Sequence, residues 1–153
     1  MIGGTAMPEK KTVKRAKKAL RAGKKPSTAA GEFVREEIEH VRHGKHGARS
    51  TKQVIAIGLA KARRAGVPLA APAKGTTSSR TRKSAKRDLA AGKRKKAGAK
   101  PATGKKAAAT HRRRARASTA ALKRQGRKAA SHASLSRQAK RAATKRRART
   151  STR

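Results

Sequence analysis

The sequence predicts a mainly α-helical protein with no sheet, built on a small helical hairpin over residues 28–43 and 51–65 with a basic arm on each side. Alanine, the strongest helix former, makes up most of the 34% of residues that are hydrophobic, and Phe33 is the only aromatic residue. Apolar residues within the hairpin recur at helical spacing. Four of the six acidic residues lie between Glu32 and Glu39, so charge is most nearly balanced in this segment.

The distribution of charge divides the chain into three parts. Residues 1–26 carry nine Lys/Arg and one acid, residues 27–72 carry eight and four, and residues 73–153 carry twenty-nine and one, for a net charge of +40. The arms are too poor in large apolar side chains to offset chain entropy by burial. We therefore expect a basic N-terminal arm, a hairpin module and a basic, low-complexity C-terminal arm, with the arms disordered when free and helical on a polyanion.

The first arm is predicted to form a short basic helix. Pro8 suits a first helical turn, and Gly23 followed by Pro26 ends the pattern. The first hairpin helix follows, with Ser27 or Thr28 as its expected cap and Gly44 at its end.

The second hairpin helix has the clearest end signals. Ser50 and Gln53 have the spacing of a capping box, and Gly66 with Val67 and the proline after them is typical of a helix C-terminus. Gly58 is expected to permit close approach of the partner helix. A hairpin of this size is only marginally stable by itself, so self-association or ligand binding is expected to complete its core.

The C-terminal arm contains a segment that repeats the first arm. Residues 81–94 match residues 12–25 at eight of fourteen positions, which suggests two equivalent basic helices flanking the hairpin. Residues 93–109 are low-complexity Lys/Ala/Pro/Gly sequence. Beyond them, we expect a short helix over residues 118–125 and another capped by Ser131 or Ser134.

Several protein classes are disfavoured by composition. The chain has no cysteine for disulfides or thiolate metal sites, no apolar run of the roughly 18 residues that span a bilayer, and no apolar stretch of a secretory signal at its start. Paired carboxylates, a nucleophile beside a base and a glycine-rich phosphate loop are not evident. We predict a cytoplasmic, nucleoid-associated protein that is not an enzyme and uses no cofactor.

The basic arms predict binding to nucleic acid through its phosphates, because Lys and Arg release the counterions condensed on a polyanion without any reading of sequence. DNA is the preferred ligand of this hypothesis. The residues assigned to it are Lys14, Arg15, Lys17, Lys18, Arg49, Lys52, Arg63, Arg64, Arg80, Arg82, Lys83, Lys86, Arg87, Lys93, Arg94, Lys95, Lys96, Arg112, Arg113, Arg114, Arg116, Lys123, Arg124, Arg127, Lys128, Lys140, Arg141, Lys145, Arg146, Arg147 and Arg149.

The sequence alone does not decide between DNA and other anionic ligands, or between ways of binding nucleic acid. An RNA-binding protein of the ribosome or a virion, a polyphosphate binder and an anionic-membrane binder share the same charge. Stacking on single strands needs aromatic platforms, and the one phenylalanine, Phe33, is expected in the hairpin core. A helix-turn-helix would use the helix starting at Thr51 as its recognition helix, with Lys52 and Gln53 at its start and Arg49 on a phosphate, but such domains normally need a third helix and a bigger core.

Two patterns in the first hairpin helix have alternative interpretations. Glu36, His40 and His43 share one helix face, as zinc ligands do, but Glu/His pairs and the helix dipole explain them as well, so we predict no metal. The stripe formed by Glu32, Glu36 and Glu39 either solubilises the hairpin or docks a basic arm from the same chain or a neighbour.

Residues 31–69, GEFVREEIEHVRHGKHGARSTKQVIAIGLAKARRAGVPL, resemble a family of small, very basic bacterial proteins whose shared domain has no assigned function. Members are sometimes labelled DNA-binding or histone-like. The similarity extends loosely into both arms, including residues 126–140, and members commonly begin near Met7, which implies an alternative start there. The resemblance implies a histone-like role and supplies no catalytic or ligand residues.

Overall fold

A computed structural model describes residues 8–98 and 105–151 of the chain. This part contains six α-helices, one 3-10 turn and no strand, which confirms the mainly α fold. The predicted start at Met7 and the centre of the low-complexity segment, residues 99–104, lie outside the described residues. The helices are α1 (Lys10–Arg21), α2 (Pro26–Arg42), α3 (Thr51–Arg64), α4 (Ser79–Lys96), α5 (Lys105–Lys123) and α6 (His132–Ser151), and the 3-10 turn is Lys128–Ala130.

The predicted hairpin is formed by α2 and α3, but α2 begins earlier than its polar residues suggest. Its N-cap is Lys25, which makes no side-chain capping bond, and Pro26 occupies the first turn. The expectation that Ser27 or Thr28 caps the helix is therefore wrong. Proline is favoured at this place because its missing N–H has no partner in the first turn of any helix.

Helix α3 begins as its sequence predicts, with one difference in detail. The backbone N–H of Gln53 donates to Ser50 Oγ at 3.3 Å. The Gln53 side chain returns a bond, but its Oε1 accepts from the backbone N–H of Arg49 at 2.8 Å, one residue before the position that a capping box uses. The pair therefore fixes both the helix start and the last residue of the loop.

The end of α3 has the full set of bonds that its sequence predicts. Gly66 has a φ of +93°, its N–H donates to Arg63 O at 3.1 Å, and the Val67 N–H donates to Ala62 O at 3.1 Å. These are the two bonds of a Schellman motif. Val67 is thereby turned inward, where it is buried in the core.

The main core lies between α1, α2 and α3. Phe33 and Ala62 are fully buried there, and Ala16 of α1 is buried with them. The close approach predicted at Gly58 is present, because a Cβ on that glycine would lie 2.6 Å from the Cα of Val34. Alanine and glycine thus give this core its small volume and short interhelical distance.

Helix α4 packs against α3 much as α1 packs against α2. Ala85 of α4 is buried, as is its counterpart in the sequence repeat, Ala16 of α1. A Cβ on Gly92 would overlap the carbonyl oxygen of Arg63, so α4 also approaches its neighbour through a glycine. The two related segments therefore flank the hairpin as helices, and the packed structure extends beyond residues 27–72.

The C-terminal arm returns to the loop end of the hairpin. Ala129 and Ala130 are buried in a second core with Val41 and Val54. The guanidinium of Arg42 donates to the carbonyl of Ala130 at 2.9 Å, and the hydroxyl of Thr51 to that of Ala129 at 2.7 Å. The 3-10 turn thus docks on the hairpin through backbone acceptors.

The C-terminal helices differ from their predictions in one case. Helix α5 extends back to Lys105, well before the expected start near residue 118. Helix α6 begins at His132, and the Ser134 N–H donates to Ser131 Oγ at 3.2 Å, so Ser131 is the cap of the two serines that the sequence offers.

The close packing at Gly58 gives a stability prediction. Gly58→Ala should destabilise the protein by about 1–3 kcal/mol, since the added methyl group forces α2 and α3 apart. Gly31→Ala is the matched control, because Gly31 is also inside a helix yet a Cβ there would contact nothing within 4 Å. That control should raise stability by about 0.5–1 kcal/mol. Urea unfolding followed by circular dichroism measures both, and equal effects would contradict the close packing.

Candidate nucleic-acid interface

The acidic residues determine which cations are left for a ligand. All six acids of the chain lie in the described residues, and each forms an ion pair within the protein. Three of them pair with exposed arginines: Glu32 lies 2.8 Å from Arg15, Glu39 lies 3.4 Å from Arg35, and Asp88 lies 2.7 Å from Arg64. Glu9 lies 3.1 Å from both Lys45 and His40.

The other two acids, Glu36 and Glu37, are buried between the two hairpin helices, with 2% and 1% of their surfaces exposed. Lys61 of α3, itself buried, places its Nζ 2.6 Å from Glu37 Oε2 and 3.8 Å from Glu36 Oε1. The contact with Glu37 is an ion pair without the alignment of a good hydrogen bond. Glu36 is therefore not part of an exposed acidic stripe. It is buried beside Glu37, and Lys61 of α3 supplies the positive charge opposite both carboxylates.

The remaining members of the predicted stripe have different partners. Glu32 binds Arg15 of α1, so a basic arm of the same chain does lie against the hairpin at this point. Glu39 is exposed and pairs with Arg35 one turn away on its own helix. The three glutamates therefore do not form one docking surface.

The basic residues assigned to nucleic acid lie on α1, the α2–α3 loop, α3, α4, α5, the segment before α6, and α6 itself. All of them are exposed except Arg63, which is buried, and Arg82, which is half-buried. The Arg63 guanidinium donates to the carbonyls of Leu69 and Ala70, both at 3.2 Å. Burial lowers the pKa of Arg63, against the opposing charge of Asp88. Arg63 is a structural residue that holds the chain after α3, and its assignment to nucleic acid is corrected.

Five exposed cations surround one cleft of about 460 Å³. We call it the basic cleft and define it by Arg49, Lys52, Lys128, Arg137 and Arg141. Uncharged Ser50, Thr51, Ala129, Ser134 and Gln138 complete its lining, which contains no acid.

Three separate parts of the chain meet at the basic cleft because hydrogen bonds to backbone carbonyls hold them together. The bond from Thr51 to Ala129 fixes the start of α3 against the 3-10 turn. Ser134 donates its hydroxyl to Lys128 O at 2.9 Å, which fixes the start of α6 on the same turn. The α3 N-terminus, with no acid in its first turn, adds the positive end of a helix dipole.

Part of this site is not evident from the sequence. Arg137 and Gln138 are not among the residues assigned to nucleic acid, and Ser134 is considered only as a helix cap. The spacing of Arg137 and Arg141 shows that they share a helix face, but nothing local indicates that this face lies beside Arg49 and Lys52. Gln53, which the helix-turn-helix alternative places at the start of a recognition helix, uses its Oε1 in the cap of α3.

No known protein family, curated protein or solved structure matches this chain. The resemblance to the basic bacterial family therefore stays a prediction. Among residues 8–98 and 105–151, no helix combines the length and the apolar character needed to cross a membrane.

The hydrogen bonds of Glu9 predict how stability depends on pH. Bonds from His40 and Lys45, with the charge of Lys45, lower the pKa of Glu9 below its usual value of 4.5. The unfolded chain therefore binds this proton more readily, so the stabilisation is present above the usual pKa and is lost as pH falls through the lowered value. Glu9→Gln should be less stable than wild type at pH 7 and equally stable in acid. Thermal unfolding across a pH series measures this, and a difference that is constant with pH would contradict it.

Proposed function

We propose that this protein binds nucleic acid without sequence preference, with duplex DNA as its main ligand, and compacts it as a histone-like, nucleoid-associated protein. The basic cleft and the exposed cations of α4, α5 and α6 contact phosphates. The observation that carries the proposal is the internal pairing of all six acids, which leaves the other cations of the described residues without a side-chain carboxylate as partner.

Release of counterions would supply most of the binding free energy. A duplex carries one charge per roughly 1.7 Å of its axis, and each phosphate neutralised by Lys or Arg returns condensed counterions to solution. An acid beside a basic residue would compete with the phosphate for it. The sequences of α5 and α6 contain no acid at all, so nothing on these helices opposes this exchange.

The basic cleft gives the complex a fixed geometry that a flexible polycation lacks. Its cations come from the α2–α3 loop, α3, the 3-10 turn and α6, and the hydrogen bonds of Thr51 and Ser134 hold these elements in place. Preorganised cations lose less conformational entropy on binding than cations on a flexible chain. We therefore assign the cleft as the anchoring point and the outer helices as additional phosphate-binding surfaces.

Removal of charge from the basic cleft should weaken DNA binding more than removal of the same charge elsewhere. The cleft variant carries Arg49→Gln, Lys52→Gln, Arg137→Gln and Arg141→Gln. The control replaces four exposed lysines on and near α1 with Gln and has the same net charge: Lys14, Lys17, Lys18 and Lys24.

Because the cleft variant no longer neutralises about four phosphates, its slope of log affinity against log salt should be shallower than that of wild type by about 3 to 4. The slope of the control should change by less. Fluorescence anisotropy with a short labelled duplex across a salt series measures both slopes. Equal slopes for the two variants would show that net charge alone determines binding.

Competition tests the choice of ligand. Duplex DNA, structured RNA and polyphosphate should each displace a labelled duplex at low salt, with duplex DNA the strongest competitor per phosphate. Several unrelated DNA sequences should compete equally. A DNA site bound more tightly than bulk DNA by about 10³ or more would refute the nonspecific mode, and stronger displacement by RNA would assign the protein to RNA instead.

A further inference from the structure

The loop end of the hairpin contains two histidines and a glutamate that the proposed interface does not use. Glu37, His40 and His46 each offer one ligand atom, and these three atoms lie within 4.8 Å of one another. Glu37 and His40 are buried, and the His46 side chain is only 13% exposed. The cluster therefore has the residue types and the shielding of a metal site.

These are not the residues that helical spacing selects. The sequence places Glu36 and His43 on one face with His40, but His43 is exposed at the end of α2. The chain then turns back through Gly44, whose φ is +72°, and brings His46 over α2. As a result, His46 Nε2 lies 2.6 Å from Glu37 Oε1.

The hydrogen bond of His46 suits a metal ligand. Its Nδ1 lies 3.0 Å from the backbone oxygen of Gly47. With an ion bound, Nδ1 can carry the proton and donate to that carbonyl, which leaves the electron pair of Nε2, on the side of Glu37, for the metal. Metal-binding histidines commonly donate their other nitrogen to a carbonyl or carboxylate in this way.

His40 shows a related arrangement. Its Nε2 lies 3.1 Å from Glu9 Oε1, a carboxylate that can accept its proton in a hydrogen bond. Its Nδ1 is buried and has no hydrogen-bond partner among the described residues. A buried polar atom without a partner is costly, and coordination of a cation through Nδ1 would remove that cost.

The charge of the cluster also favours a cation. Glu36 and Glu37 are two buried carboxylates, and within the described part of the chain Lys61 is the only buried lysine beside them. Lys61 lies against Oε2 of Glu37, whereas His46 lies against Oε1. A metal bound through Oε1 therefore leaves Lys61 in place, where it orients the carboxylate.

We propose that Glu37, His40 and His46 bind one zinc ion, with water as the fourth ligand. Two imidazoles and one carboxylate form a nitrogen and oxygen donor set suited to zinc, whereas magnesium and calcium prefer six or more oxygens. The ion ties the α2–α3 loop to α2 and so steadies Arg49, the first cation of the basic cleft. Its role is structural, and it does not depend on the proposed binding of nucleic acid.

The test uses the untagged full chain after chelation, titrated calorimetrically with Zn²⁺ and followed spectroscopically with Co²⁺. One equivalent should bind, the Co²⁺ spectrum should be that of a tetrahedral site, and Mg²⁺ should not compete. His46→Ala should weaken Zn²⁺ binding by at least about 10-fold. His43→Ala is the matched control, since His43 is exposed at the end of the same helix, and it should bind as wild type.

A second measurement needs no variant and is independent of any loss of folding. Substoichiometric Co²⁺ should broaden the ring-proton resonances of His40 and His46 before those of His43 and His132. Equal weakening by His43→Ala and His46→Ala, broadening of all histidines together, or the absence of saturable binding would each overturn the site.

Discussion

The burial of Lys61 with Glu36 and Glu37 is the interaction on which the rest of the structure depends. It joins α3 to α2 through charged side chains of which at most 8% is exposed to solvent. Loss of one partner of such a group costs about 3–5 kcal/mol, because an uncompensated charge stays buried. The helices can meet at this distance because Gly58 has no side chain. Their register then determines where the loop returns, where α3 begins, and thus where Arg49 and Lys52 lie.

Internal pairing of the acids also divides the cations of the described residues into two groups, those that pair with an acid and those that do not. In the hairpin, acids and bases are matched and stabilise one arrangement of helices. In α5 and α6 the cations have no acids beside them in the sequence, and in the proposed function these cations contact phosphates. Under the proposed function, the cations of the arms would supply affinity and the packed hairpin would fix the geometry of the complex. Under the same proposal, any selectivity among polyanions would come from the fixed cleft, since a run of lysines and arginines carries none.

The sequence predicts the features that depend on neighbouring residues. The cap at Ser50 with Gln53, the Schellman end at Gly66 and the close approach at Gly58 were all predictable, because each has a residue requirement within a few positions or at one glycine. It does not predict contacts between distant segments. By its helical spacing alone, Glu36 belongs to an exposed stripe. Its burial becomes evident only from the structure, which places Lys61, 25 residues further on, beside it. The 3-10 turn docks through its backbone carbonyls. Every residue has such an acceptor, so the identity of the residues in the turn does not indicate the contact.

The separation of internal from phosphate-binding charge is tested most directly by lysine reactivity in the free protein and in its complex with duplex DNA. Reactivity is measured residue by residue by mass spectrometry after brief acylation. Lys61 should be unreactive in both states, because it is buried against Glu36 and Glu37. Lys52 and Lys128 of the basic cleft should react in the free protein and become protected on DNA. Reactive Lys61 in the free, folded protein, or cleft lysines that DNA leaves as reactive as before, would contradict the separation of internal and phosphate-binding charge.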